Sequence, residues 1–198
     1  MSQRSKGPVQ ISPGFCLLAA WFGVVNGWSL LGTVLGAAAI HELGHCIVLW
    51  CLGARVKEMR IGVFGATLET DSQNLSYGKE LLAVLAGPLS NLLCAMILTR
   101  LGGVHWAVPV GAHLALCMFN LLPVWPLDGG RALYLLIAWI SGPNTAEQAV
   151  RWIGAAAALA LSAGLCCLMW RTGGSLWLLP AAAGLMGAAA GAGKRTFL

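Results

Sequence analysis

Residues 38–50 read AAIHELGHCIVLW, and this stretch places three ionisable side chains, His41, Glu42 and His45, inside a continuous apolar run. Histidines four residues apart lie one above the other on a helix face, so both imidazoles can reach one metal ion. Ionisable groups at membrane depth are costly unless they are partnered, and they are therefore functional by default. The stretch predicts a membrane-spanning helix that carries part of a metal centre.

The order of these residues, H-E-x-x-H, suits a hydrolytic zinc centre. Glu42 stands next to the first histidine, where its carboxylate can accept a proton from an attacking water. Catalytic zinc sites have three protein ligands and keep one coordination position open. A third ligand must therefore come from elsewhere in the chain. The alternative, two helical histidines that only hydrogen-bond within the protein, is disfavoured by the apolar surroundings.

The composition predicts a membrane protein. Of the 198 residues, 58% are hydrophobic and 10% are charged, whereas ordinary soluble domains are about 25% charged. The net charge of +5 comes from scattered basic residues that form no patch, which excludes nucleic acid as a partner. The seven cysteines lie almost entirely in apolar runs without a C-x-x-C pair, so we interpret them as apolar filling residues.

Glycine, proline, asparagine and charged residues divide the chain into six candidate spans, at 13–26, 29–52, 78–100, 104–140, 146–170 and 175–192. We therefore expect an all-α polytopic membrane domain at 13–192, between short tails at 1–12 and 193–198. The fourth segment is too long for one straight helix, and Pro123 and Pro126 predict a break within it. The charged and β-branched segment 54–70 predicts a short β-hairpin between the second and third spans.

The basic residues predict the orientation of these spans. With six spans both termini share one side of the bilayer, and nine of the twelve lysines and arginines lie there: Arg4, Lys6, Arg55, Lys57, Arg60, Lys79, Arg151, Lys194 and Arg195. Cytoplasmic loops carry an excess of lysine and arginine. We therefore expect a bacterial cell membrane with both termini in the cytoplasm.

A second polar cluster, N-L-L-P-V-W-P-L-D-G-G, occupies residues 120–130 of the fourth segment. Its carboxylate, Asp128, is the candidate for the third metal ligand. The prolines free backbone carbonyls, and irregular backbone is tolerated at membrane depth only where it is buried or lines a cavity. Gly129 and Gly130 allow the chain to turn closely beside the metal. The alternative is a proline kink with a capping aspartate.

A third motif, G-P-L-S-N at 87–91, places the Asn91 amide at mid-membrane. It either contributes to the site or packs helices, and the sequence leaves its role open. At about 1.5 Å per residue, the histidines, Asn91 and Asp128 should reach a common layer. We interpret His113 as a packed helix histidine, with a contact to the site as the alternative. Arg131 either extends to the membrane interface or contacts substrate.

These three motifs, in this order, resemble the site-2 protease family of intramembrane zinc metalloproteases, and most closely its bacterial sporulation branch. The resemblance runs from about residue 13 to residue 140. It implies that His41, His45 and Asp128 bind one Zn²⁺ ion and that Glu42 activates the water. It also implies that Asn120 lies at the site, where its amide hydrogen-bonds substrate or the developing oxyanion.

The resemblance implies an intramembrane endopeptidase that cleaves membrane-associated protein substrates within a lipid bilayer, releasing a membrane-tethered transcription or sigma factor. The free edge of the 54–70 hairpin would pair with an extended substrate. Members of this branch often carry a C-terminal nucleotide-sensing domain. We expect none here, and therefore expect regulation by partner membrane proteins or by substrate availability. The alternatives are a metal transporter and a catalytically silent scaffold. The single layer of ligands argues against a transporter, and the intact motif argues against a silent scaffold.

Overall fold

A computed structural model describes residues 9–54, 56–62, 65–70 and 75–172. In chain order the elements are β1 (Val9–Ile11), α1 (Pro13–Asn26), α2 (Trp28–Cys51), β2 (Val56–Gly62), β3 (Gly65–Thr70), α3 (Tyr77–Leu101), α4 (Ala107–Asn120), α5 (Asp128–Ser141) and α6 (Pro143–Thr172). The chain divides into two units, of which the first ends at Met118 and the second begins at Phe119. The predicted span at 175–192 and the tail at 193–198 lie outside the described residues.

Three of the described helices are long and apolar enough to cross a membrane: α2, α3 and the part of α6 from Pro143 to Cys167. At about 1.5 Å per residue each exceeds the hydrocarbon thickness of roughly 30 Å. The chain is therefore an integral membrane protein. Because α1, α4 and α5 have 14 residues each, about 21 Å, the count of six spans stays a prediction.

The predicted break in the fourth segment is confirmed. A short 3-10 turn at Val104–Trp106 leads into α4, which ends at Asn120, and α5 begins at Asp128. The intervening turn holds Pro123 and Pro126, of which the second follows a cis peptide bond. Proline lacks the N–H that a helix needs and disfavours helical backbone in the residue before it. The two prolines therefore account for the interruption.

In the first unit, α2 and α3 pack through stripes of residues spaced by four. Residues at this spacing lie on one helix face. The contacts run antiparallel, since His45 lies beside Ala83 and His41 lies beside Asn91. The buried members are Ala37, His41, His45 and Leu49 on α2, and Ala83, Gly87, Asn91 and Ala95 on α3.

The predicted hairpin is present as β2 and β3, which pair antiparallel. The sheet has a third strand that the sequence analysis did not predict, because β1 within the expected N-terminal tail pairs parallel with β2. The Ser12 N–H donates to the Ile61 carbonyl at 2.9 Å, and the Ser12 hydroxyl accepts from the Phe15 N–H at 3.2 Å. One residue thus ends β1 and caps α1.

In the second unit, the turn between α4 and α5 lies against glycines. A Cβ atom on Gly129 would collide with the Leu121 carbonyl oxygen, and one on Gly130 would lie 2.7 Å from the Val124 carbonyl oxygen. The Val124 side chain is 1% exposed and packs with Leu127 and with Ala158 of α6. Backbone atoms of the turn lie too close to Gly129 and Gly130 for any side chain. This contact fixes the position at which α5 begins.

We expect Gly129→Ala to lower the stability of the protein by about 1–3 kcal/mol, because the added methyl forces the turn away from α5. Gly111→Ala is the matched control, since a Cβ atom there meets nothing within 4 Å. Thermal unfolding of the two variants in detergent measures the effect. Equal melting temperatures would contradict the proposed packing.

Candidate metal centre

The centre of the first unit is a pair of buried imidazoles on α2. His41 is 3% exposed and His45 is 7% exposed. Their Nε2 atoms lie 3.2 Å apart, and the rings meet edge to face with centroids 4.8 Å apart. Two ring nitrogens thus converge on one point beside the α2 axis, as the four-residue spacing predicts.

The hydrogen bond of His45 determines which of its nitrogens can bind a metal. Its Nδ1 atom lies 2.8 Å from the carbonyl oxygen of Ala83 on α3. A carbonyl oxygen only accepts hydrogen bonds, so Nδ1 carries the ring proton and donates it. Nε2 is then the nitrogen with the lone pair, which is the form that a metal-binding histidine takes.

The pair fits a zinc ion. Two nitrogen ligands of tetrahedral zinc lie about 3.3 Å from each other, given Zn–N distances near 2.0–2.1 Å, and the observed separation is 3.2 Å. Gly87 of α3 faces the same point, since a Cβ atom there would lie 2.7 Å from His41 Nε2 and closer still to His45 Nε2. The absence of a side chain at Gly87 therefore leaves room beside the donor atoms.

The other predicted residues lie on α2 and in the second unit. Glu42 is half-buried and directly follows His41 on α2. Asp128 is 8% exposed and is the first residue of α5. Asn120 is half-buried and is the last residue of α4, and Arg131 is half-buried in the first turn of α5. Asp128 and Asn120 thus stand at the two ends of the proline turn.

Two further polar residues lie behind His41. Asn91 of α3 is fully buried and His113 of α4 is 6% exposed. The Asn91 side-chain nitrogen lies 3.2 Å from His41 Nδ1, and its oxygen lies 2.9 Å from His113 Nδ1. Sequence analysis left Asn91 open and favoured a packing role for His113. The sequence signal for a role of His113 was an ionisable residue within an apolar helix. Its partner could not be predicted, because the contact with Asn91 depends on the rotation of α4.

Comparison with known proteins supports the family resemblance. The model for Peptidase family M50 matches residues 104–161. Stage IV sporulation protein FB of Bacillus subtilis is 30% identical over 138 residues, which cover 66% of this chain and 48% of that protein. Residues 104–161 thus match a peptidase M50, or site-2 protease, domain. The family resemblance predicted from the three motifs is confirmed.

Two further matches extend the comparison. A zinc metalloprotease of Methanocaldococcus jannaschii is 26% identical over 121 residues, which cover 56% of this chain and 35% of that protein. The chain thus spans about half or less of the length of both curated relatives. The solved structure of the site-2 protease from M. jannaschii matches with a TM-score of 0.68 at 18% identity, covering 99% of this chain and 96% of that one. The structural match shows a shared site-2 protease fold.

We expect Gly87→Ala to weaken Zn²⁺ binding at least about ten-fold, because the new methyl would lie against the Nε2 atoms of both histidines. Gly36→Ala on α2 is the control, since a Cβ atom there meets nothing within 4 Å. Competition with a chromophoric chelator in detergent gives the two affinities. Wild-type affinity in Gly87→Ala would show that the metal does not bind between these rings.

Proposed function

We propose that this chain is a zinc-dependent endopeptidase that cleaves membrane-associated proteins within the bilayer. The observation that carries the proposal is the convergence of the His41 and His45 Nε2 atoms, 3.2 Å apart, in an integral membrane chain with an M50 domain. The names of two matches support it, a zinc metalloprotease and a site-2 protease.

In this proposal His41, His45 and Asp128 hold one Zn²⁺ ion. Imidazole nitrogens and carboxylate oxygens are common zinc ligands, and three protein ligands leave a coordination position open. Asp128 lies within the residues that the M50 model matches and is 8% exposed. Burial of an ionised carboxylate is costly unless a cation or hydrogen-bond donors compensate its charge, and a zinc ion is one such cation.

The remaining steps use groups of the chain. When bound, zinc supplies Lewis acidity, which polarises a carbonyl and favours loss of a proton from water. Glu42 accepts a proton from the attacking water and passes it to the nitrogen of the leaving amine. The Asn120 amide donates a hydrogen bond to the substrate carbonyl, whose oxygen becomes more negative as the carbon becomes tetrahedral.

The substrate class follows from the sheet and from the membrane. A helical peptide bond is shielded by its own backbone, so a transmembrane substrate must become extended before it is cut. In the strand order β1-β2-β3, the six-residue β3 is an edge strand and can add an extended segment by backbone hydrogen bonds. We infer that the substrates include a membrane-tethered transcription or sigma factor, which cleavage releases from the membrane.

The proposal includes the placement of the enzyme. The excess of basic residues in the segments that share a side with the termini favours a cytoplasmic location for both ends, in a bacterial cell membrane. A released factor would then enter the cytoplasm directly. Regulation by partner membrane proteins is part of the same proposal.

Asp128→Ala tests the ligand set without any knowledge of the substrate. We expect about one Zn²⁺ per chain in the detergent-purified wild type and a marked loss in the variant, because two imidazoles alone bind zinc weakly. Glu147→Ala on α6 is the control for loss of an acidic side chain, and it should retain the metal. A wild type that holds no zinc after repletion would contradict the proposed function.

Glu42→Gln tests the proton acceptor. Glutamine has nearly the same shape but cannot take the proton, so we expect retained zinc and a cleavage rate lower by about 10²–10⁴-fold. The assay uses a single-span reporter with helix-breaking residues in its span and fluorophores on both sides, in liposomes. Glu147→Gln should cleave like the wild type. Unchanged cleavage by Glu42→Gln would remove this residue from the mechanism, and zinc binding without wild-type cleavage would favour a silent scaffold.

A further inference from the structure

The Asn91 amide lies between two imidazoles from different helices. Its nitrogen is 3.2 Å from His41 Nδ1 on α2, and its oxygen is 2.9 Å from His113 Nδ1 on α4. Asn91 is 0% exposed and His113 is 6% exposed. The three side chains form a row, His41–Asn91–His113. Each hydrogen bond in this row replaces one that water would otherwise supply, and the orientation of each group constrains the next.

Two assignments of the amide are consistent with these distances, because the oxygen and nitrogen of an asparagine side chain are interchangeable in position. In the first, the amide nitrogen donates to His41 Nδ1, which leaves the His41 proton on Nε2. In the second, the amide oxygen accepts from His41 Nδ1–H, and the amide nitrogen donates to His113 Nδ1. Only the second gives His41 a lone pair on Nε2, the atom that faces His45 Nε2.

We propose that His113 is a positioning residue of the metal centre, which acts through Asn91 to hold His41 in its metal-binding tautomer. The proposal rests on the zinc site proposed above. His113 accepts from the Asn91 amide nitrogen and so directs the amide oxygen towards His41. The ring proton of His41 is thereby held on Nδ1, in the same way that the Ala83 carbonyl holds that of His45.

Loss of the His113 ring has a definite consequence in this arrangement. Leucine at position 113 can fill the volume between α3 and α4, but it leaves the amide nitrogen of Asn91 without an acceptor at a fully buried site. An unsatisfied buried polar group is costly, so the amide turns or shifts, and His41 loses its fixed acceptor. Partners that orient a metal ligand typically contribute 10–100-fold in metal affinity.

The experiment measures Zn²⁺ affinity of the full chain in detergent by chelator competition, for wild type, His113→Leu, His113→Asn and the control His105→Leu. His105 is an exposed histidine that lies outside the row. We expect 10–100-fold weaker binding in His113→Leu and unchanged binding in His105→Leu. His113→Asn should restore most of the affinity, because its amide oxygen can stand near the position of Nδ1.

Cobalt substitution provides a second readout that packing alone would not change. The visible absorption of bound Co²⁺ reports the geometry of its ligands, so His113→Leu should shift the spectrum and His113→Asn should return it towards the wild type. Wild-type affinity and spectrum in His113→Leu would overturn the proposal. Absence of zinc from the wild type would instead contradict the zinc site itself.

A second pair of variants applies if His113→Leu does not fold. Asn91→Asp keeps an acceptor for His41 Nδ1–H, whereas Asn91→Leu removes it at nearly the same size. The proposed row predicts retained zinc affinity in the first and a 10–100-fold loss in the second. Equal affinities in the two variants would overturn the proposal.

Discussion

The hydrogen bonding of buried imidazoles is the constraint on which the first unit depends. A histidine ring at membrane depth has no water to satisfy the nitrogen that faces away from the metal, so the protein must provide a partner. For His45 that partner is the Ala83 carbonyl of α3, and for His41 it is the Asn91 side chain, which also lies on α3. Helix α3 is therefore as necessary to the centre as the helix that carries the H-E-x-x-H motif.

The close approach of α2 and α3 follows from this requirement. A carbonyl oxygen can reach an imidazole on a neighbouring helix only if the two backbones lie near each other, and Gly87 permits that distance. The four-residue spacing on both helices repeats the contact at each turn, so Ala83, Gly87 and Asn91 meet successive levels of α2. The GPLSN motif thus serves geometry and hydrogen bonding together, which explains why it accompanies the histidines.

Much of this arrangement could be predicted from the sequence, because strong local patterns dictate it. The HELGH spacing fixes a helical face, the two prolines require a break before Asp128, and the composition of 54–70 favours strands. The role of His113 was not predictable in the same way, since it depends on the rotation of α4 against α3. The three-residue β1 was missed because its stability comes from pairing with β2, about 50 positions later in the chain.

Ser12 joins the sheet, where an extended substrate would pair, directly to helix α1. Its backbone is bonded to β2, its side chain caps α1, and Pro13 follows as the first helical residue. Proline fixes one backbone dihedral, and the cap fixes the next turn, so no residue remains to act as a hinge. A displacement of the sheet would therefore be transmitted to α1 through Ser12. Docking of a strand on the sheet would thus change the orientation of α1.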